Sequence, residues 1–389
     1  MKLVRKSSKI RIYPNKEQIE FLELNFKVAR EGWNHLVSLD RNDYYKWKAN
    51  QLIPNANFDT QTNLDKEYTK WKKSNEGYNK SDSRIKNSII KDLKRAKFLS
   101  KGLPKFKNYF KTKPSYTTGQ NVKIKDDKLI IPKCKPLKFK GRVLEGDLKV
   151  VTISRKNNKY YASCSYENVP VETKPKTNRF LAIDWGEKTF LTTNKEDKYN
   201  PPLLKKLHNK VNRLNKKLSK KIKYSNNYNK LKLRIDKIKE KITNITDDWY
   251  HKLTTELATN FDCIAIEKLN YKTIHQESKY GVSKLKKVQY KFGFWKELIS
   301  YKLDWYKDTK LIEINPVNTT KKCSNCNSIN DKVLVKLNKN SWLSKSWDRS
   351  IRTWKCPNCK SIHDKDVNAS NNIYNLAFVP QVVGELKHV

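Results

Sequence analysis

Apolar side chains alternate with basic ones over residues 2–13, KLVRKSSKIRIY, and Ile10 and Ile12 share one face, the pattern of a half-exposed strand. Pro14 stops it. The spacing of Ile19, Leu22, Leu24, Phe26, Val28 and Trp33 then predicts a helix over KEQIEFLELNFKVAREGWNHLVSL. A second helical block is predicted from about 60 to 100, with Ile85, Ile89, Ile90, Leu93 and Ala96 on one stripe and lysines opposite. From 103 to 172 the period becomes alternating. NVKIKDDKLIIP, LKVVTISRK and KYYASCSYENV read as strands joined by short DD and KNN turns. Strand, helices, then strands is the order of helices inserted into a β-barrel. Two separate small domains give the same order, and periodicity does not choose between them.

The Pro- and Thr-rich stretch 170–178, PVETKPKTN, marks a domain boundary. Beyond it, Phe180, Leu181, Ala182 and Ile183 form a buried strand that ends on Asp184, followed by a glycine turn and a second strand. Residues 201–246 predict a helical hairpin with SNNYN as its turn. Leu203, Leu207, Val211, Leu214 and Leu218 line one arm, and Leu231, Ile235, Ile238, Ile242 and Ile245 the other. HKLTTELATNF is a further helix, leading into the strand CIAIEKL, whose apolar run ends on Glu267 and so repeats the strand-then-acid pattern. A helix containing Phe292, Phe294, Trp295 and Trp305 and the strand KLIEINP lead on to Cys323. The last helix, VNASNNIYNLA, is expected to face inward through Val367, Ile373 and Leu376.

Charge narrows the function. The 389 residues include 84 Lys and Arg against 39 Asp and Glu, a formal net charge of +45, while 37% hydrophobic content still supports folded cores. Such a charge repels itself unless a polyanion neutralises it. The chain shows no long apolar run, lipidation motif or signal peptide, so nucleic acid is the expected partner rather than a membrane surface. Residues 104–116 interleave Lys105, Lys107, Lys111 and Lys113 with Phe106, Tyr109, Phe110 and Tyr116. That mixture suits a phosphate backbone with splayed bases, though the same aromatics could pack a core. The hairpin carries fifteen Lys or Arg against two acids between 201 and 241, a one-signed surface that favours nucleic acid over a solvated coiled coil.

Of seven cysteines, Cys134, Cys164 and Cys263 stand alone and read as buried small hydrophobes. Cys323, Cys326, Cys356 and Cys359 form two CxxC pairs separated by the 29 residues 327–355. With no export signal, these pairs predict a tetrahedral structural zinc site rather than disulfides or redox thiols. The loop between them, with Trp342 and Trp347, is expected to form its own hairpin. Asp184 and Glu267 end buried strands, and Asp364 and Asp366 open the last helix, where either could serve as its N-cap. No single acid decides the case. Three carboxylates from two strand ends and a helix start can hold two divalent cations for phosphodiester hydrolysis, and hard oxygen ligands fit magnesium or manganese.

IDWG at 183–186, IEKLN at 266–270, and CSNC, CPNC and DKDVNASNNI between 323 and 373 resemble the three RuvC motifs and zinc ribbon of TnpB proteins. These are transposon-encoded, RNA-guided DNA endonucleases related to small type V CRISPR effectors. RIYPNKEQIEFLE, LPKFKNYF, DKLIIPK, LEGDLKVVTISR and the SNNYNK turn stand in family order, so the resemblance covers nearly the whole chain. It implies an α+β multidomain fold. A wedge-type β-barrel (1–14 and 113–172) is interrupted by a helical recognition lobe (15–112). An RNase H-like RuvC nuclease domain (173–319, with hairpin 201–246, and 363–389) carries a zinc ribbon at 320–362. Carried over by residue, Asp184, Glu267 and Asp366 match the catalytic, magnesium-binding acids, and Asp364 aligns with an accessory acid.

The resemblance also implies a transposon-derived guide RNA and a double-stranded DNA target beside a short motif, bound by a cytoplasmic monomer with RNA that joins the nucleoid on DNA. A CRISPR-associated effector and a nuclease-inactive RNA-guided regulator share the architecture; the presence of all three acids favours the nuclease. Two features depart from the family: the long inter-knuckle loop, and Asn327 and Lys360 where glycines often follow the cysteines.

Overall fold

A reciprocal cap turns the chain from its first strand into its first helix: Gln18 N donates to Asn15 Oδ1 and Asn15 N to Gln18 Oε1, both at 2.9 Å. The computed structural model describes residues 1–50, 61–99, 104–109, 112–186, 188–268, 290–315, 317–337, 341–348 and 350–379, with the backbone alone for 40, 42–50 and 61–63. The chain divides between Val171 and Glu172 into two compact units.

The first unit opens with β1 (Lys2–Ile12), α1 (Lys16–Asn50), α2 (Gln61–Ser74) and α3 (Ile85–Leu99). Strands β2 (Ser115–Thr118), β3 (Lys123–Lys125), β4 (Lys128–Ile130), β5 (Leu137–Lys140), β6 (Asp147–Lys156) and β7 (Lys159–Val171) follow. They form one seven-stranded sheet of order β2-β6-β7-β1-β5-β4-β3. The DD and NN turns are as expected: Asp126, Asp127, Asn157 and Asn158 all have φ between 50° and 60°, the two-residue type that matches strand twist. The helical block is two helices rather than one, interrupted where Gly77 takes φ +79° ahead of a 3-10 turn at Tyr78–Lys80. Ile10 and Ile12 of β1, Leu22 and Phe26 of α1, Ile89 and Leu93 of α3, and Val151 and Ile153 of β6 belong to one buried cluster. A shared core makes the helices an insertion in this unit and removes the reading as two small domains.

The second unit is built on β8 (Phe180–Trp185), β9 (Leu191–Thr193), β10 (Lys198–Tyr199), β11 (Cys263–Glu267) and β12 (Lys310–Ile314), in the order β10-β9-β8-β11-β12. β11 pairs parallel with both β8 and β12. Helices α4 (Lys205–Leu218), α5 (Asn226–Asn260) and α6 (Phe292–Leu303) come from its connections. Here three expectations change. α5 is one 35-residue helix that absorbs the separate helix read over HKLTTELATNF. The hairpin turn lies earlier than SNNYN, since Ser225 is the N-cap and accepts from Tyr228 N, so the asparagines already belong to α5. Trp305 lies beyond the end of α6.

The two faces of the parallel strands differ. Leu181, Ile183, Ile264 and Ile266 pack with Tyr250, Leu257, Trp295 and Ile299 of α5 and α6. Ala182 and Ala265 face the last helix, α7 (Lys365–Phe378), through Ile373. Lys302 pins α6 to α5: its buried ammonium donates to His251 O (2.6 Å) and to Thr254 and Thr255 Oγ1 (2.8 Å each). Desolvation lowers its pKa to about 8. A four-stranded sheet, β14-β13-β15-β16, completes the unit: β13 (Lys332–Lys336) and β14 (Trp342–Ser346) are the expected inter-knuckle hairpin, and β15 (Thr353–Lys355) pairs with β16 (Ile362–Asp364). Among the described residues, no helix is long and apolar enough to cross a membrane.

Candidate active site and metal centre

Successive side chains of a strand point to opposite faces. Asp184 therefore shares its face with Ala182, and Glu267 with Ala265, the face that α7 covers. Ile183 pairs with Ile266, so Asp184 and Glu267 stand one step further on neighbouring parallel strands. β8 runs one residue past Asp184, to Trp185. At that corner the first turn of α7 carries Asp366, 7% exposed.

Hydrogen bonds show which of the two acids caps the helix. Asp364 is the N-cap: its Oδ1 accepts from Asp366 N at 3.0 Å and Val367 N at 3.2 Å, and its Oδ2 pairs with Lys198 at 2.8 Å. With the cap occupied, Asp366 turns toward β8. A side chain at Gly186 would lie 3.7 Å from Asp366 Oδ2 and strike the Thr189 carbonyl at 2.8 Å, so this turn needs glycine.

Asp184 is 5% exposed, and its pKa is raised well above the usual carboxylate range, first by burial and then by the charges of Glu267 and Asp366. Lys365 and the Trp185 backbone N–H oppose that rise. Burial also raises the pKa of Glu267, against a hydrogen bond from Thr319 Oγ1. Arg352 Nη1 and Lys365 Nζ reach Asp366 Oδ1 at 3.4 and 4.0 Å. Glu267 and Asp366 thus both act through their charge on Asp184, at the C-terminal ends of the central strands β8 and β11 and the start of α7.

Among the described residues, Cys323, Cys326, Cys356 and Cys359 form a group able to hold a metal ion, their sulfurs all within 4.8 Å of one another. Cys323 Sγ lies 3.6 Å from Cys359 Sγ, and Cys326 Sγ lies 3.7 Å from Cys356 Sγ. Tetrahedral Zn–S bonds of about 2.3 Å place sulfurs roughly 3.8 Å apart, so the cluster fits that ion. The hydroxyls of Ser328 and Ser361 lower the pKa of Cys326 and Cys359 toward thiolate, while burial pushes Cys323 up. His363 Nε2 stands 3.1 Å from Cys323 Sγ, and its ring packs on Trp354.

Asn327 and Lys360, the departures from glycine, both take φ +63° and keep the knuckle turns: Asn327 N donates to Cys323 O (2.9 Å) and Lys360 N to Cys356 O (3.1 Å). Asparagine tolerates this conformation, whereas a lysine Cβ is strained in it. Lys360→Gly is expected to stabilise the protein by about 0.5–1 kcal/mol, read as a higher midpoint in thermal unfolding.

The basic stretch after α3 resolves into two roles. Tyr116 is core. Phe106 and Tyr109 are exposed, with the Arg41 and Arg30 guanidiniums over their rings at 4.5 and 4.7 Å. Trp33 Nε1 donates to Lys105 O, and the Asn34 side chain bonds both Lys107 N and Lys107 O, holding the stretch on α1. Phe110 and Lys111, and Leu269 and Asn270 of the second motif, lie outside the described residues. Of the lone cysteines Cys164 is buried, while Cys134 and Cys263 are half-buried.

The inward face of α7 differs from expectation. Leu376 is exposed, and the buried positions are Asp366, Asn368, Ala369, Ser370, Asn372 and Ile373. Sequence reading also passed over Thr319, Arg352 and Lys365 beside the acids. The available signal was the i, i+4 spacing of Asn368 and Asn372 on a helix otherwise read by its apolar residues.

Three family profiles match the chain: a helix-turn-helix domain at 1–48, a probable transposase (OrfB_IS605) at 163–277, and a Cas12f1-like TNB domain at 292–373. The second spans Asp184 and Glu267, and the third spans the four cysteines and Asp366. A TnpB-like protein of Acanthamoeba polyphaga mimivirus is 29% identical over 167 residues, 40% of this chain and 32% of its own. Along these stretches the chain is similar to TnpB-type proteins. The residues matching the helix-turn-helix profile fold as one strand and one long helix. "Putative RNA-guided DNA endonuclease InsQ" of Escherichia coli (strain K12) is 27% identical over 275 residues, 63% of this chain and 66% of its own length. A "Putative RNA-guided DNA endonuclease" of Streptomyces pristinaespiralis is 23% identical over 99% of this chain and 92% of its own. The chain in a cryo-EM structure of the Cas12f1–sgRNA–target DNA complex superposes with TM-score 0.53 at 15% identity, covering 96% of this chain and 99% of that one. The likeness shows a shared mixed α/β fold.

Proposed function

We propose that this protein is an RNA-guided DNA endonuclease that cleaves double-stranded DNA beside a short motif by divalent-metal-dependent hydrolysis. The observation that carries the reading is the burial of Asp184 between the charges of Glu267 and Asp366 at the ends of parallel strands. Asp184, Glu267 and Asp366 would hold magnesium or manganese, which when bound activates a water and stabilises the leaving oxygen. The chain's own part is to hold the three carboxylates in place, with Arg352 and Lys365 offsetting some of the charge at Asp366.

In this reading 173–319 and 363–389 are the RuvC nuclease domain. Residues 320–362 are a zinc ribbon closed by Cys323, Cys326, Cys356 and Cys359. Residues 1–14 and 113–172 are the wedge, with the recognition lobe at 15–112. The net charge of +45 supports a large polyanionic partner, a guide RNA with its target DNA. Base pairing would read sequence while the protein holds the heteroduplex.

The test is to purify the protein with its RNA, sequence that RNA, and supply a plasmid library carrying the matching target next to randomised flanks. Linearisation that needs magnesium or manganese and is lost after ribonuclease treatment is expected. Cutting that ignores the target sequence, or survives removal of the RNA, would refute the guided reading.

A further inference from the structure

Thr319, Asn368 and Asn372 are all buried beside the acids, at 3%, 1% and 3% exposure. Thr319 Oγ1 donates to Glu267 Oε1 at 2.5 Å. Its own carbonyl accepts from Asn372 Nδ2 at 2.7 Å, and the same nitrogen donates to Lys322 O at 2.7 Å. Asn368 Nδ2 also donates to Lys322 O, at 2.8 Å, and Asn368 Oδ1 accepts from Ser324 N at 2.9 Å.

The segment 319–324 is therefore stitched along α7, the helix whose first turn carries Asp366. It presents a hydroxyl to Glu267 at one end and Cys323 to the sulfur cluster at the other. A carboxylate that binds a cation through one oxygen gains from a fixed donor on the other, because the donor sets the direction of its lone pairs.

We propose that Thr319 is the positioning residue of Glu267, and that Asn372 and Asn368 hold it there by clamping the first cysteine knuckle to α7. The proposal rests on the reading of Glu267 as a ligand for divalent cations. One strap then orders both metal sites: the closed knuckle anchors the segment, and the segment aims the carboxylate.

The test uses the full ribonucleoprotein and Mn²⁺ as the probe, with binding followed by electron paramagnetic resonance of the free ion and zinc content measured alongside. Thr319→Val keeps the shape and removes the hydroxyl, and Thr319→Ser keeps the hydroxyl. Thr319→Val is expected to weaken Mn²⁺ binding about tenfold, the scale at which outer partners act on metal affinity. The Mn²⁺ concentration for half-maximal cleavage should rise in parallel, zinc content should be unchanged, and Thr319→Ser should bind Mn²⁺ within about twofold of the unmodified protein. Equal Mn²⁺ affinity in Thr319→Val and unmodified protein, or Thr319→Ser as weak as Thr319→Val, overturns the proposal. If Thr319→Val does not accumulate folded, Thr319→Ala against Thr319→Ser makes the same comparison. Asp184→Ala separates the two levels. Its retained cleavage would refute the carboxylate site itself, whereas its loss of cleavage with unaltered Thr319→Val refutes the positioning role alone.

Discussion

Asp184→Ala is expected to lower target cleavage on the order of a thousandfold or more while the protein still binds its RNA and target. In the proposed site the variant removes one of three carboxylates, and the other two come from different elements, β11 and α7. Cleavage of a labelled target over time and a gel-shift on the same preparation check both halves. Cutting at an undiminished rate would show that this corner of the sheet is not where hydrolysis occurs.

The isosteric Asp184→Asn adds a stability result with a definite sign. The folded-state pKa of Asp184 is raised by burial and by Glu267 and Asp366. Below the unfolded value, about 3.9, both states hold the proton and the site carries no penalty. As pH rises from there, the unfolded chain releases its proton more readily than the folded one, so stability falls until the folded pKa is passed. Asp184→Asn removes that loss. In buffer free of magnesium and manganese, its thermal midpoint should exceed that of the unmodified protein by a margin that widens with pH, and added magnesium should narrow the margin. A constant margin across pH would contradict the electrostatic account.

Cys323→Ser is expected to take zinc from about one ion per chain to near zero and to reduce the folded yield. Structural zinc contributes about 10–16 kcal/mol of folding free energy in small sulfur-ligated modules. The ribbon has little else to hold it, since its core comprises Cys323, Val333, Ile351, Trp354 and Cys356. Loss should also spread to α7, because Ser324 N donates to Asn368 in the next residue along. Elemental analysis gives the zinc content, and limited proteolysis should find new cuts between 320 and 362. Unchanged metal stoichiometry would remove the ribbon from the account.

Much of the site was legible because its signals are local. A CxxC knuckle is one tight turn, so spacing alone picks out Cys323, Cys326, Cys356 and Cys359, whose sulfurs do converge. The apolar runs through Ile183 and Ile266 ended on acids, and strand alternation carries both acids to one face. What misled were boundaries. The SNNYN segment looks like a turn, yet Ser225 caps a helix that its asparagines enter. The last helix was read by its hydrophobic residues, although its buried face is mostly polar and bonds backbone carbonyls of the knuckle segment.

The sequence by itself determined the element types, the four-sulfur cluster, the sign of the partner's charge and the candidate acids, because period, turn chemistry and ligand spacing act over a few residues. What each of Asp364 and Asp366 bonds to was decided by tertiary structure. Both stand at the same helix start, but Lys198 and two backbone N–H groups occupy Asp364, which leaves Asp366 to meet Asp184. The same is true of Thr319, whose hydroxyl meets Glu267 only because α7 clamps a segment 52 residues away in the chain. Such contacts depend on which surfaces pack together, and no local pattern encodes that.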